Sequence, residues 1–261
     1  MHILLAPDSF KESLSAKQVA ESLKKGFQEG LPNATFDLLP IGDGGEGTMD
    51  TLAGVLDLTE YQTQVTGPFG QPVSVSYYQR DQMAFFEMAS LVGLGSIPAE
   101  KRNPLELETR GIGELILQLV GQGVKTLCVG IGGSATNDGG IGMAAGLGVA
   151  FYDEQGHLLR PVGASLGRVA RIDTSAVPKA LQDIDLQVLT DVTNLLCGSQ
   201  GATYIFGGQK GLNPLLFPSV DQAMQKFYQL VDSRMLTLEG AGAGGGMAAG
   251  LVAFAGGQIT S

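Results

Sequence analysis

The sequence predicts an α/β protein in which a parallel strand–helix–strand–helix unit is followed by a mixed region containing antiparallel strands. Three observations predict it. Short apolar runs alternate with segments of helical apolar spacing over residues 2–56; from Tyr61 the chain turns to short β-branched and aromatic runs divided by turn signals; and several apolar runs end in loops that combine glycine, small polar residues and a carboxylate.

The first element is "HILLAP", an apolar run closed by Pro7, which reads as a buried strand. Ser15 with Gln18 three residues on matches a capping box, and Ala16, Val19, Ala20, Leu23 and Phe27 then keep to one helical face until Gly30 and Pro32 close the helix. "ATFDLLPI" is the next strand and "MDTLAGVL" the next helix, an order that makes the two strands parallel neighbours. "YQTQVT", "PVSVSYYQ" and "MAFFEMA", separated by "GPFGQ" and "RDQ", read as antiparallel strands joined by tight turns, so a division of the chain into residues 1–62 and 63–261 is expected. Beyond them "GELILQLVGQG" is an amphipathic helix, "KTLCVGI" a strand, "VAFYDEQGHLLRPV" a hairpin turning at Glu154 to Gly156, and "LQVLTDV" a strand. Val220, Met224, Phe227 and Val231 mark one more helix by their spacing, and Gly244 to Ala255 is a glycine-rich helix candidate.

Composition excludes several classes. A net charge of -10 argues against a broad basic surface for nucleic acid or an anionic membrane. Cys128, Cys197, His2 and His157 make no spaced cluster, so neither a zinc site nor a disulfide framework is expected. The N-terminus has an acidic residue directly after its short apolar run, and no stretch approaches the roughly 18 apolar residues of a membrane span. A cytoplasmic setting is expected.

Four loops carry the candidate chemistry: "APDSFKES" with Asp8 and Lys11, "GDGGEGT" with Asp43 and Glu46, "GIGGSATNDGG" with Asp138, and "DVTNLLCGSQGA" with Asp191 and Asn194. Ligands of α/β sheets sit beyond the carboxyl ends of strands, so four such loops have one cleft to share. Taken singly, each loop is equally well a turn capped by Asx side chains. "GIGGSA" fits a dinucleotide fingerprint, with Asp153 and Glu154 near the end of the next strand; an oxidoreductase is therefore one reading. It leaves "TND" and the carboxylates at other strand ends unexplained. A phosphoryl-transfer site uses the mixture: glycines admit backbone N–H groups to phosphate oxygens, lysine neutralises charge, and carboxylates hold Mg²⁺ or take the proton of an attacking hydroxyl.

"APDSFKESL", "GDGGEGT", "GIGGSATNDGG" and "DVTN" with "FGGQKG" resemble, in that order and across nearly the whole chain, the bacterial glycerate kinases of the glycerate 2-kinase type. The resemblance implies ATP- and Mg²⁺-dependent phosphorylation of D-glycerate to 2-phosphoglycerate on a two-domain scaffold, a Rossmann-like domain plus a mixed α/β domain, with the site in the cleft between them. It implies Asp191, Asp43 and Lys11 as catalytic groups, with the two aspartates open between metal binding and hydroxyl activation. Asp43, Asp138 and Asp191 are the expected metal ligands. Asp8, Ser9, Lys11, Gly44, Glu46, Gly132, Gly133, Ser134, Thr136, Asn137, Asn194 and Lys210 are the expected contacts to substrate or nucleotide. Leu195 and Gly208 stand where the family pattern has proline, changes that loosen the backbone without removing a charge. Members of the family run on for further residues that complete the Rossmann-like domain, so this chain is expected either to be part of a longer product or to cover its N-terminal strands by association with itself or a second chain. A non-catalytic protein that keeps the pocket is the remaining alternative.

Overall fold

The computed structural model describes residues 1–8, 10, 13–42, 49, 53 and 56–260. Strand β1 (His2–Leu5) and strand β2 (Thr35–Leu38) pair in parallel, joined by helix α1 (Ala16–Gly30), as the strand–helix–strand order requires. The capping box is reciprocal: the Gln18 amide donates to Ser15 Oγ at 3.3 Å and the Ser15 amide to Gln18 Oε1 at 2.9 Å. Ala16, Val19 and Ala20 are buried, but Leu23 and Phe27 remain 40% and 44% exposed. Among the described residues the sheet of β1 and β2 has two strands, too narrow to cover the whole apolar stripe of α1; Phe27 lies near the ring of Phe36, centroids 6.4 Å apart. Met49, Ala53 and Leu56 are helical, in line with the helix expected over "MDTLAGVL".

Among the described residues the larger sheet has six strands in the order β10-β9-β6-β5-β4-β3. Strands β3 (Thr59–Thr66), β4 (Pro72–Arg80) and β5 (Met83–Glu87) form the antiparallel meander read from the turn signals. The change of texture placed at residue 62 thus falls inside β3, whose pairing with β4 already begins at Thr59. From β5 the sheet becomes parallel, through β6 (Thr126–Gly130) and β9 (Asp185–Leu189) to the short β10 (Gln258–Thr260).

Side chains alternate across these strands. Ala84, Phe86, Leu127, Val129, Leu186 and Val188 share one face and build the main core. Helix α3 (Arg110–Gly121) contributes Ile112, Leu115 and Ile116 to it, and α7 (Ala243–Ala255) contributes Met247 and Leu251. The short α2 (Ala89–Val92) precedes α3, and the short α4 (Ile141–Gly146) and α5 (Ala202–Phe206) and the longer α6 (Phe217–Val231) lie between α3 and α7. A second core joins α6 to α4 and β7 (Ala150–Tyr152) through Met224, Phe227, Tyr228, Ile141 and Phe151. Among the described residues no helix is long and apolar enough to cross a membrane.

The hairpin expected over "VAFYDEQGHLLRPV" is only a stub. Asp153 Oδ1 accepts the amides of Gln155 and His157, closing the expected turn, but beyond the Tyr152–Leu158 bridge and the Leu159 amide to Phe151 the pairing stops. Pro161 has no N–H with which to extend it. The ladder partner of β7 is instead β8 (Arg171–Asp173).

Candidate active site

A cavity of about 1350 Å³ opens beyond the carboxyl ends of β5, β6 and β9. Gly132, Gly133, Ser134, Asp191 and Lys210 line it together, with Phe10 and Ser13 from the first loop and Met49. The loop after β6 gets its shape from hydrogen bonds to the segment after β5. The Leu94 amide donates to the Gly133 carbonyl at 2.9 Å and the Ala135 amide to the Val92 carbonyl at 2.8 Å. Gly133, at φ 68°, and Gly244, at φ 64°, put left-handed backbone into the cavity wall.

The rest of "GIGGSATNDGG" turns inward. Asp138 is fully buried: its carboxylate accepts the Thr109 hydroxyl at 2.6 Å and the amides of Gly140 and Gly142, at the start of α4. Burial pushes its carboxyl above the usual range while these hydrogen bonds and Lys210 oppose the shift. Expected as a metal ligand, Asp138 does not line the cavity and acts here as a helix cap. Asn137 Nδ2 donates to Thr203 Oγ1 at 3.0 Å; Thr136 Oγ1 and Asn137 Oδ1 are buried without a hydrogen-bond partner among the described residues. Neither side chain reaches the cavity.

Lys210 links the two regions. It is 3% exposed, and its ammonium donates to Ser134 Oγ at 2.8 Å and to the Thr136 carbonyl at 2.7 Å. Burial pushes the Lys210 ammonium down to about 7, with the charge of Asp138 opposing the shift. An unfolded lysine keeps its proton to about pH 10.4, so between about pH 7 and that value the unfolded chain binds a proton that the native chain does not. Stability should therefore rise with pH across this window and gain nothing from this group below it. Melting temperatures of the parent protein and Lys210→Met between pH 6.5 and 9 check this; the parent curve should climb relative to the variant, and parallel curves would refute it.

Other expected site residues fall elsewhere. Asp8 is exposed after β1 and is not among the cavity's lining residues. Asn194 turns its side chain to the Gln200 carbonyl at 2.9 Å. Ser9, Lys11, Asp43, Gly44 and Glu46 lie outside the described residues. Among the cavity residues with no counterpart in the sequence reading are Glu87, 6% exposed at the end of β5, and Arg102, whose guanidinium donates to the Leu94 and Ile97 carbonyls at 2.8 and 3.0 Å. A lone carboxylate in the apolar run "MAFFEMA" was a readable signal for Glu87, since strands bury such a group only with a partner. Asp153, the acidic residue of the dinucleotide fingerprint, is committed to its own turn and to Arg168 at 3.4 Å.

Among the described residues no group of three histidines, cysteines or acids is placed to cage a metal. Mg²⁺ needs no such cage, because it keeps several waters and takes one or two carboxylates together with substrate phosphates. Asp191, exposed and lining the cavity, fits that donor set. The wall of Gly132, Gly133 and Ser134 is open to phosphate oxygens.

The chain matches the glycerate kinase family over residues 3–261. It is 55% identical over its full length to a glycerate kinase of Neisseria meningitidis serogroup B, covering 70% of that protein. It is 42% identical to the glycerate 2-kinase of Escherichia coli K12, again covering 100% of this chain and 70% of the relative. A crystal structure described as glycerate kinase 2 from Salmonella typhimurium LT2 superposes with a TM-score of 0.84 at 42% identity, covering 100% of this chain and 72% of that one. The chain belongs to the glycerate kinase family and is a kinase with a mixed α/β fold.

Proposed function

We propose that the protein transfers the γ-phosphoryl group of Mg-ATP to D-glycerate, giving 2-phosphoglycerate, in the cavity beyond β5, β6 and β9. The observation that carries the proposal is the meeting of Gly132, Gly133, Ser134, Asp191 and Lys210 in one space large enough for a nucleotide and a small acceptor. The backbone of Gly132 and Gly133 receives phosphate oxygens. Lys210, tied to Ser134 and the Thr136 carbonyl, holds that wall in shape and gives it positive charge when protonated. Asp191 holds the metal or takes the proton of the glycerate hydroxyl, and Asp43 takes the other role. Mg²⁺, when bound, supplies charge neutralisation between the phosphates. Lys11 neutralises phosphate or the carboxylate of glycerate, and Ser9, Gly44 and Glu46 complete the contacts. The division of the chain near β3 into an N-terminal part and a mixed α/β part belongs to the same proposal, with the cavity beside both. A cytoplasmic setting, where ATP is supplied, goes with it.

Coupled ADP release over a panel of hydroxy acids and sugars tests the substrate, with a thermal shift by Mg-ATP against NAD(H) alongside. Turnover with D-glycerate and protection by Mg-ATP are expected. Turnover with a sugar alone, or protection by NAD(H) alone, would contradict the proposal.

A further inference from the structure

The cavity divides by charge. Both cationic side chains among its described lining residues stand at the glycine-loop end: Lys210 donates to Ser134 Oγ, and Arg102 Nη2 donates to the carbonyl of Leu94, whose amide donates to the Gly133 carbonyl. The far end is the outer face of β3 and β4, where Glu60, Ser74 and Ser76 line the space. Val65, Val75 and Tyr77 of these strands enter the main core, so alternation puts Glu60, Gln62, Ser74 and Ser76 on the opposite face. In an antiparallel pair such a face is ordinarily wetted by solvent; here it walls the same cavity as Gly132 and Gly133. Gln62, the ladder partner of Ser76, joins the two serines: its Nε2 donates to Ser76 Oγ at 3.4 Å and its Oε1 accepts the Ser74 hydroxyl at 3.3 Å. The pair is thereby polarised. Ser76 keeps a hydroxyl hydrogen to give and Ser74 keeps lone pairs to receive, neither engaged further among the described residues. Two residues apart on one strand face, they stand about 6.8 Å from each other. A vicinal diol fits between them, one hydroxyl accepting from Ser76 and the other donating to Ser74.

We propose that the β3–β4 end of the cavity is the nucleoside subsite, where Ser74 and Ser76 hold the 2′- and 3′-hydroxyls of the ATP ribose. The proposal deepens the glycerate kinase reading and rests on it for the identity of the ligand. D-glycerate also carries a vicinal diol, but two observations place it elsewhere. A reacting hydroxyl must come within about 3–3.5 Å of phosphorus. Strand β5 separates β4 from β6, so β4 is roughly 10 Å from β6, and a hydroxyl held on β4 is too far from phosphates seated on the loop after β6. The ribose, two further phosphates removed from the γ-phosphorus, has that reach. Charge gives the same answer. Glu60 repels the carboxylate of glycerate and any phosphate, while it accepts hydrogen bonds from neutral sugar hydroxyls, the use that dinucleotide sites make of an acidic residue. Anions are drawn to Lys210 and Arg102, and the neutral sugar is left to the sheet.

Calorimetry with Mg-ATP and Mg-2′,3′-dideoxy-ATP, without glycerate, tests the subsite on the parent protein and on Ser74→Ala/Ser76→Ala. Two hydrogen bonds between neutral groups together amount to about tenfold in affinity, so the parent is expected to prefer ATP by about that factor. In the double variant the preference should shrink to about twofold or less, because the dideoxy nucleotide has nothing to lose there. A change that acted only through the scaffold would weaken both nucleotides alike and leave the ratio unmoved. In steady-state assays the variant should raise KM for ATP about tenfold and hardly move KM for D-glycerate. Equal affinity of the parent for the two nucleotides would overturn the proposal, as would an unchanged ratio in the variant. A rise in KM for D-glycerate in place of ATP would give the diol site to the acceptor and overturn it too. A parent protein with no glycerate turnover would refute the kinase reading instead, and the nucleotide preference would still decide whether β3 and β4 hold the ribose.

Discussion

Asp191→Asn should lower kcat/KM for D-glycerate on the order of 10² or more while leaving the protein folded. The substitution changes charge with almost no change in shape. Asp191 is exposed at the rim beyond the end of β9, so no packing is lost, and exposed substitutions of this kind stay within about 0.5 kcal/mol. The effect should fall on transfer, because a metal ligand or a base acts on charge that develops as the γ-phosphoryl group moves. Steady-state kinetics with a parallel melting curve check this. Near-parental rates would remove Asp191 from the mechanism.

Gly245→Ala should be the most damaging small change to the scaffold. Gly245 has φ 71°, and a Cβ there would stand 2.1 Å from the Thr136 carbonyl oxygen and 2.9 Å from Asn137 Cα. Both obstacles are backbone, and the Gly139 amide donates to the Gly245 carbonyl at 3.0 Å, so neither segment can simply step back. The left-handed conformation alone costs a non-glycine residue about 1–3 kcal/mol, and the contact adds to it. A loss of about 3 kcal/mol or more is expected, roughly 6–12 °C in Tm for a chain of this size. Activity should fall as well, since the displaced Thr136 carbonyl is a Lys210 acceptor. Gly70→Ala is the control: its φ is 83° but a Cβ there meets nothing within 4 Å, so it carries the conformational cost without the collision. Similar losses in the two variants would show that the packing of 136–137 against 245 contributes nothing.

The legible parts of the fold are those written in local chemistry. The capping box at Ser15, the turns around the β3–β4–β5 meander and the helical spacing of Val220, Met224 and Phe227 each predicted an element that is present. Leu23 and Phe27 keep to the apolar face that the spacing marks yet stay partly exposed, because spacing reports which face is apolar, not how much sheet lies beneath it. Strand β10 is three residues long, too short for a period to register, and is a strand only because β9 offers an edge. In the site, Gly132, Gly133, Ser134 and Asp191 were singled out by strand-end loops and Lys210 by the "FGGQKG" block of the resemblance, and the structure brings them to one cavity. Asp138 looks like them in sequence, since an aspartate before two glycines serves equally as ligand or as cap; its burial depends on the Thr109 hydroxyl, 29 residues away, as well as on the Gly140 and Gly142 amides, and a linear pattern does not carry the first of these. Glu87 depends on a partner 38 residues distant and on register across β5 and β6, neither of which a linear pattern carries.

The central claim is that nucleotide and acceptor meet in the cavity walled by Gly132, Gly133 and Ser134. A crystal structure of Asp191→Asn with Mg²⁺, a non-hydrolysable ATP analogue and D-glycerate tests it most directly. The account predicts terminal phosphates against residues 132–134 and the acceptor hydroxyl about 3–3.5 Å from the γ-phosphorus. Phosphates bound outside that wall, or D-glycerate held out of reach of them, would contradict it.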